Sequence, residues 1–257
     1  MCAPSNFFYL PQVPHLETAG HRLFYFERGN QGTPLLFIHG AGGAHSNWLA
    51  LIKQLQPRRC ITLDLPGHGL SSGDGCDTIE EYAEIVKSFA VSLFPNAKPV
   101  IIGHSMGGLV VTCLVSQYPA MVAGLILVSS GFSSPKLPPS KTPAKDEICR
   151  MLYSKEELIQ ECKKQRLFML DRPEVLLKDL QASAQFDYSK YRVGETIPKF
   201  VLTGEKDRRI ALEATQTAAE FLNVPPEIIP DCGHMPMIEK PTETSQAVGR
   251  FLEDSSL

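Results

Sequence analysis

Three side chains in this sequence are of the types that move protons between themselves in acyl chemistry: Ser105, Asp207 and His234. Ser105 is framed as Gly103-His104-Ser105-Met106-Gly107, with Gly108 next. A glycine two residues to either side of a serine, between a strand-like run and a helix-like run, allows a turn tight enough to push the hydroxyl out of the backbone. Asp207 closes Gly204-Glu205-Lys206-Asp207, and His234 closes Asp231-Cys232-Gly233-His234. A serine is a weak nucleophile until a base takes its proton, and an imidazole does this well when an acid holds its other nitrogen. The chain order is serine, acid, histidine. Glu205 is the rival acid, two residues before Asp207. Asp231 is expected only to shape the histidine loop.

A fourth segment, His39-Gly40-Ala41-Gly42-Gly43, is rich enough in glycine for the backbone to fold back toward the serine. An N–H there, together with the one just after the nucleophile, would hold the negative oxygen of a tetrahedral intermediate. Ala41 and Met106 are the expected donors. The segment lacks the G-x-G-x-x-G spacing of a dinucleotide loop. Trp48, Phe132 and Met235 lie beside these motifs in the sequence and are candidates to line a substrate pocket, although core packing explains each equally well. Phe168, Met169 and Leu170 are candidates for the underside of a covering segment. Arg150, Arg166 and Arg172 could read an acidic substrate, but solvated charge is the simpler account.

To bring these segments together, the chain needs a scaffold that ends several strands at one rim. Apolar, β-branched runs at 21–28, 34–38, 59–63, 99–103, 125–129, 199–203 and 227–229 read as strands. Residues 16–18 form an expected hairpin with the first of them, closed by Ala19-Gly20. Helical spacing follows at 46–55, after Asp77-Thr78, at 106–117, at 212–222 and at 242–252. In the second of these helices Glu80 and Glu81 occupy the first turn, where the helix dipole favours acid. Alternation of this kind implies a largely parallel sheet with helices on both faces. All four motifs then follow a strand's carboxyl end, where open α/β sheets gather their sites.

The alternation breaks at 131–196. The run from Gly131 to Pro143 holds four prolines, and 22 of the 66 residues are charged, a third against about a sixth elsewhere. Residues 155–170 and 173–182 read as helices. The expectation is a core domain formed by 1–130 and 197–257, with a small helical cap inserted at 131–196.

These residues together resemble an α/β-hydrolase-fold enzyme over nearly the whole chain. Asp64-Leu65-Pro66-Gly67-His68-Gly69-Leu70-Ser71 resembles that family's D-x-x-G-x-G-x-S loop, which implies a structural role for Asp64 and His68. The GHSMGG elbow and the short cap resemble the small carboxylesterases and their C–C-bond hydrolase relatives. Serine at the elbow, where epoxide hydrolases and haloalkane dehalogenases carry aspartate, argues against those members. Arg208-Arg209 after the acid departs from the usual apolar continuation. The resemblance implies a cofactor-free serine hydrolase of a small ester or thioester, with Ser105, Asp207 and His234 as triad. Alternatives are C–C hydrolysis of a ring-cleavage product, or a hydrolase-fold receptor with little turnover.

Composition sets the remaining bounds. The chain has 257 residues, 43% hydrophobic and 21% charged, with 25 basic against 28 acidic side chains. No basic stripe points to nucleic acid. No apolar run approaches the ~20 residues of a membrane span. Met1 to Leu10 lacks the pattern of a secretory leader. Seven cysteines, odd in number and without a CxxC pair, point away from zinc or a disulfide framework and toward reduced thiols in the cytoplasm. The expected partner is a small acyl substrate, with no metal, nucleic acid or membrane.

Overall fold

The computed structural model describes residues 14–164 and 168–257. The segment Met1 to Leu10 and Arg166, both named above, lie outside the described residues.

Among the described residues, eight strands form one sheet. β1 (His15–Thr18) and β2 (His21–Arg28) form the expected hairpin through Ala19 and Gly20, both at positive φ. β2 runs antiparallel to β4 (Arg58–Leu63). From β4 through β3 (Gln31–Ile38), β5 (Val100–His104), β6 (Gly124–Val128), β7 (Lys199–Gly204) and β8 (Pro226–Ile229), every pairing is parallel. All these strands therefore end on the same side.

The central strands are apolar at consecutive positions because both faces are covered. Leu36 and Ile38 of β3, Ile101 of β5, and Leu125 and Leu127 of β6 join the core on one face. That core is completed by α2 (Ile79–Leu93), α3 (Met106–Gln117) and α7 (Leu212–Leu222). Leu35, Phe37, Val100, Ile102, Ile126 and Val128 point to the opposite face, as the two-residue period of a strand requires. There they meet α1 (Leu49–Gln54), α8 (Pro236–Glu239) and α9 (Pro241–Asp254). α2 starts as the sequence suggests. Thr78 caps it by accepting from the Glu81 N–H at 3.2 Å, and Ile79, Tyr82, Val86 and Phe89 form its buried stripe.

Among the described residues three α-helices stand between β6 and β7: α4 (Lys145–Leu152), α5 (Glu156–Lys164) and α6 (Pro173–Gln185). α6 begins at Pro173, as expected. Within the helix expected over 155–170, α5 covers Glu156–Lys164, and Phe168–Leu170 form a 3-10 turn where α-helix was expected. α4 is additional to the expected helices. Its amphipathic stretch is only eight residues long and follows the proline-rich run directly.

The expectation of reduced thiols needs correction. Cys149 of α4 and Cys162 of α5 are joined in a disulfide, while Cys60, Cys76, Cys113 and Cys232 are buried free thiols. The pair is created by two short helices packing side by side, which spacing alone does not reveal. This removes the step from reduced thiols to the cytoplasm. Among the described residues no helix is long and apolar enough to cross a membrane.

Candidate active site

Ser105 is the N-cap of α3, with φ 51° and ψ −119°. A positive φ is costly for a residue with a side chain and persists only where its surroundings enforce it. Here the Ser105 N–H donates to the Val128 carbonyl at 3.0 Å, and its own carbonyl accepts from the Ser130 hydroxyl at 2.8 Å and from the Gly108 N–H at 2.9 Å. Gly107 must be bare because a methyl there would lie 2.4 Å from the Ile38 carbonyl oxygen. Strain, three backbone anchors and close packing against β3 together leave Ser105 only partly buried.

Asp207 and His234 are brought together by the ends of β7 and β8. The His234 Nδ1 and Asp207 Oδ2 are 2.8 Å apart, and both side chains are almost wholly buried. Asp207 Oδ1 accepts from the backbone N–H groups of Arg209 and Ile210 at 2.8 and 2.9 Å. The unusual Arg208-Arg209 thus contributes backbone to hold the acid, and both side chains are exposed. Glu205, the rival, does not reach the imidazole. It accepts the Asp231 N–H at 2.9 Å and so shapes the histidine loop, where Asp231 also pairs with Lys206.

His234 is fixed at its backbone as well. Its carbonyl accepts from His104 Nε2 at 2.9 Å, and its N–H donates to the Leu152 carbonyl of α4 at 3.1 Å. The His104 and His234 rings lie 4.6 Å apart between centroids, so the imidazole stands beside the residue that precedes Ser105. Burial, helped by His234, holds His104 well below the usual histidine pKa. It is a neutral ring whose Nε2 carries the hydrogen.

The Gly40 loop closes on the serine from the other side. A methyl on Gly40 would lie 2.9 Å from the Ser105 Cβ. His39 holds this loop: its Nδ1–H donates to the Gly40 carbonyl at 2.8 Å while its Nε2 accepts the Leu65 N–H at 3.0 Å. Those roles require a neutral ring, and burial lowers the His39 pKa to about 4. Ala41 follows in the loop and Met106 is the first residue of α3. Among the described residues no protein acceptor takes the N–H of either. Asp64 performs the structural task implied by its loop, accepting from the His45 and Leu70 N–H groups at 2.5 and 2.9 Å.

The apolar and basic candidates from the sequence are packed among their neighbours. Trp48 is fully buried against Phe37, and Met235 lies in the same core. Phe132 stacks on Tyr188 and meets Phe221 edge-on in the opposite core. Trp48, Met235 and Phe132 are 0, 3 and 2% exposed. Arg172 donates to the Gly73 carbonyl at 2.9 Å and to Asp74 at 2.6 Å, tying α6 to the loop after β4. Two contributors carry no signal in the sequence. Glu239 of α8 accepts from the N–H groups of Gly233 and Ser154, joining the histidine loop to the turn after α4. Asp179 of α6 accepts from Gly42.

A serine at a strained strand-to-helix turn, beside a paired acid and histidine, has counterparts among known proteins. A model described as the alpha/beta hydrolase family matches residues 35–247. The chain belongs to the alpha/beta hydrolase family. It is 30% identical to the dihydrolipoyllysine-residue acetyltransferase component of the acetoin cleaving system of Pseudomonas putida, covering 94% of this chain and 70% of that protein. It is 29% identical to lipase 1 of Psychrobacter immobilis, over 91% of this chain and 81% of the lipase. Among solved structures, that of a thermophilic esterase superposes with a TM-score of 0.79 at 27% identity, over 94% of this chain and 97% of the esterase.

Proposed function

We propose that this alpha/beta hydrolase cleaves a small carboxylic ester through an acyl-enzyme on Ser105, without a cofactor. The observation that carries the reading is the 2.8 Å bond between His234 and Asp207, whose partners are each fixed by backbone bonds beside the strained Ser105 turn. Accepting at Oδ2, Asp207 keeps the hydrogen of His234 on Nδ1, which leaves the Nε2 lone pair for the serine proton. The Ser105 oxygen attacks the acyl carbon as His234 takes that proton. The carbonyl oxygen becomes negative and is received by the N–H groups of Ala41 and Met106. His234 returns the proton to the departing alcohol. Water then repeats the sequence in reverse and releases the acid. The lipase and esterase among the relatives support ester over other acyl substrates.

We read 131–196 as a cap over this site. Its support is contact at three points: Leu152 with His234, Asp179 with Gly42, and Met169, whose Cβ would lie 2.7 Å from a methyl on Gly42. The sequence singles out Met169 as part of the cap's underside, and it packs against the loop proposed to hold the oxyanion.

Ser105→Ala tests the reading. Hydrolysis of short p-nitrophenyl esters is expected to fall by about 10⁴-fold or more, with loss of labelling by a fluorophosphonate. Near-wild-type hydrolysis by that variant overturns the assignment. Faster turnover of a vinylogous ring-cleavage product than of any ester overturns the choice of ester.

A further inference from the structure

Asp179 lies on α6, and its fully buried carboxylate has three partners. Oδ2 accepts the Gly42 N–H at 2.8 Å and faces His68 Nε2 at 2.8 Å, and Oδ1 accepts the Tyr82 hydroxyl at 2.6 Å. His68 Nδ1 faces the Pro66 carbonyl at 2.9 Å. With an acceptor opposite each nitrogen, both nitrogens carry hydrogens and the ring is an imidazolium. Burial alone would lower its pKa, but the charge and hydrogen bond of Asp179 outweigh that and raise it.

A buried ion pair is weak support for stability, since an apolar isostere often serves as well. An apolar isostere could not accept the Gly42 N–H. That bond has a geometric consequence one residue away. The peptide plane before the Ala41 Cα contains the Ala41 N–H, and its carbonyl, that of Gly40, is held by His39 and by the Gly43 N–H at 2.9 Å. The plane after the Ala41 Cα contains the Gly42 N–H, which Asp179 holds. With both planes pinned, the two soft dihedrals of Ala41 are fixed, and so is the direction of its N–H. Gly42 itself has φ 63° and packs under Met169 and Leu176, which leaves no room for a side chain.

We propose that Asp179 is a positioning residue for the oxyanion hole: by taking the Gly42 N–H it aims the Ala41 N–H at the oxygen that becomes negative. The proposal rests on the acyl-enzyme reading of Ser105. It makes α6 part of the machinery that lowers the barrier, although no atom of α6 need touch the substrate.

The test compares four variants of the full chain by turnover per titrated active site, the sites being counted by end-point fluorophosphonate labelling. Asp179→Leu and Asp179→Ala remove the acceptor. Deleting one oxyanion donor costs about 10²–10³ in kcat, and misaiming one is expected to cost about tenfold or more, with KM held within about threefold. Affinity for an alkyl boronic acid, which forms a tetrahedral adduct on the serine, is expected to fall in parallel. Asp179→Asn keeps an oxygen for Gly42 and can turn its amide toward the Tyr82 oxygen, so it should stay within about threefold of wild type. Tyr82→Phe should lower Tm and leave turnover per site unchanged.

If one apolar variant fails to fold, the other decides. Wild-type turnover per site in a folded apolar variant overturns the proposal. So does an equal loss in Asp179→Asn, or a site count that falls in step with activity. Failure of the parent reading looks different: wild type itself would go unlabelled, or Ser105→Ala would remain active.

Discussion

Asp207 and Glu205 are two residues apart, both acidic, and both at the end of β7, yet their surroundings give them different work. Asp207 is buried with three donors, and Glu205 is exposed and holds the Asp231 N–H. Asp207→Asn is therefore expected to lower kcat by about 10⁴-fold, because an amide donor opposite Nδ1 favours the wrong imidazole tautomer. Glu205→Gln should leave kcat within a few-fold, since the amide oxygen can still accept from Asp231. Steady-state kinetics on one ester checks both. The spacing from Gly204 is enough to favour Asp207 in the sequence. Nothing in the sequence could assign Glu205 to the backbone of the next loop, because that bond depends on β7 and β8 being neighbours. The apolar candidates Trp48, Phe132 and Met235 show the opposite limit. A large apolar side chain near a motif carries no sign of whether it faces ligand or core.

Helices and strands of the main sheet are readable because long apolar runs and helical stripes repeat over many residues, as in α2. The region between β6 and β7 is less readable for physical reasons. α4 and α5 are eight and nine residues long, too short for periodicity to speak clearly, and are stable mainly through what they pack on. The Cys149–Cys162 bond is part of that packing. Closing a loop of this length is worth about 3 kcal/mol in the chain-entropy picture. Cys149→Ser with Cys162→Ser is expected to lower stability by up to about that amount. Denaturant melts with and without reductant check it: reductant should reproduce the double variant in the wild type and change nothing in the variant. Protease cleavage within α4 and α5 should become faster in the same samples, because the covalent tie between the two helices is gone.

Over the whole molecule, three buried histidines set opposing pH dependences. His39, with its pKa lowered to about 4, and His104, also held well below the usual value, stay neutral in the fold while an unfolded chain takes up protons below about pH 6.5. Between the folded and unfolded values the unfolded state binds more protons, so stability falls with falling pH by up to about 1.4 kcal/mol per unit for each ring. His68 works the other way. Its pKa is raised, so its contribution is complete below about pH 6.5 and is lost as pH rises through the higher folded value. Urea melts across the range from about pH 4 to about pH 9 should therefore show stability declining on both sides of neutrality. His68→Gln should flatten the alkaline side and His39→Gln the acid side, about one proton's slope each. An unchanged slope in either variant would refute the corresponding charge state.

The segment between β6 and β7 looks like the natural unit to exchange between members of the family when a new substrate is wanted. The bond from Asp179 to Gly42 makes such a graft less modular than its boundaries suggest. A chimera that imports foreign helices without an acceptor at this point would leave a loop of the recipient untethered. It would inherit a new pocket wall together with a blunted catalyst, and engineers would be inclined to blame the wall.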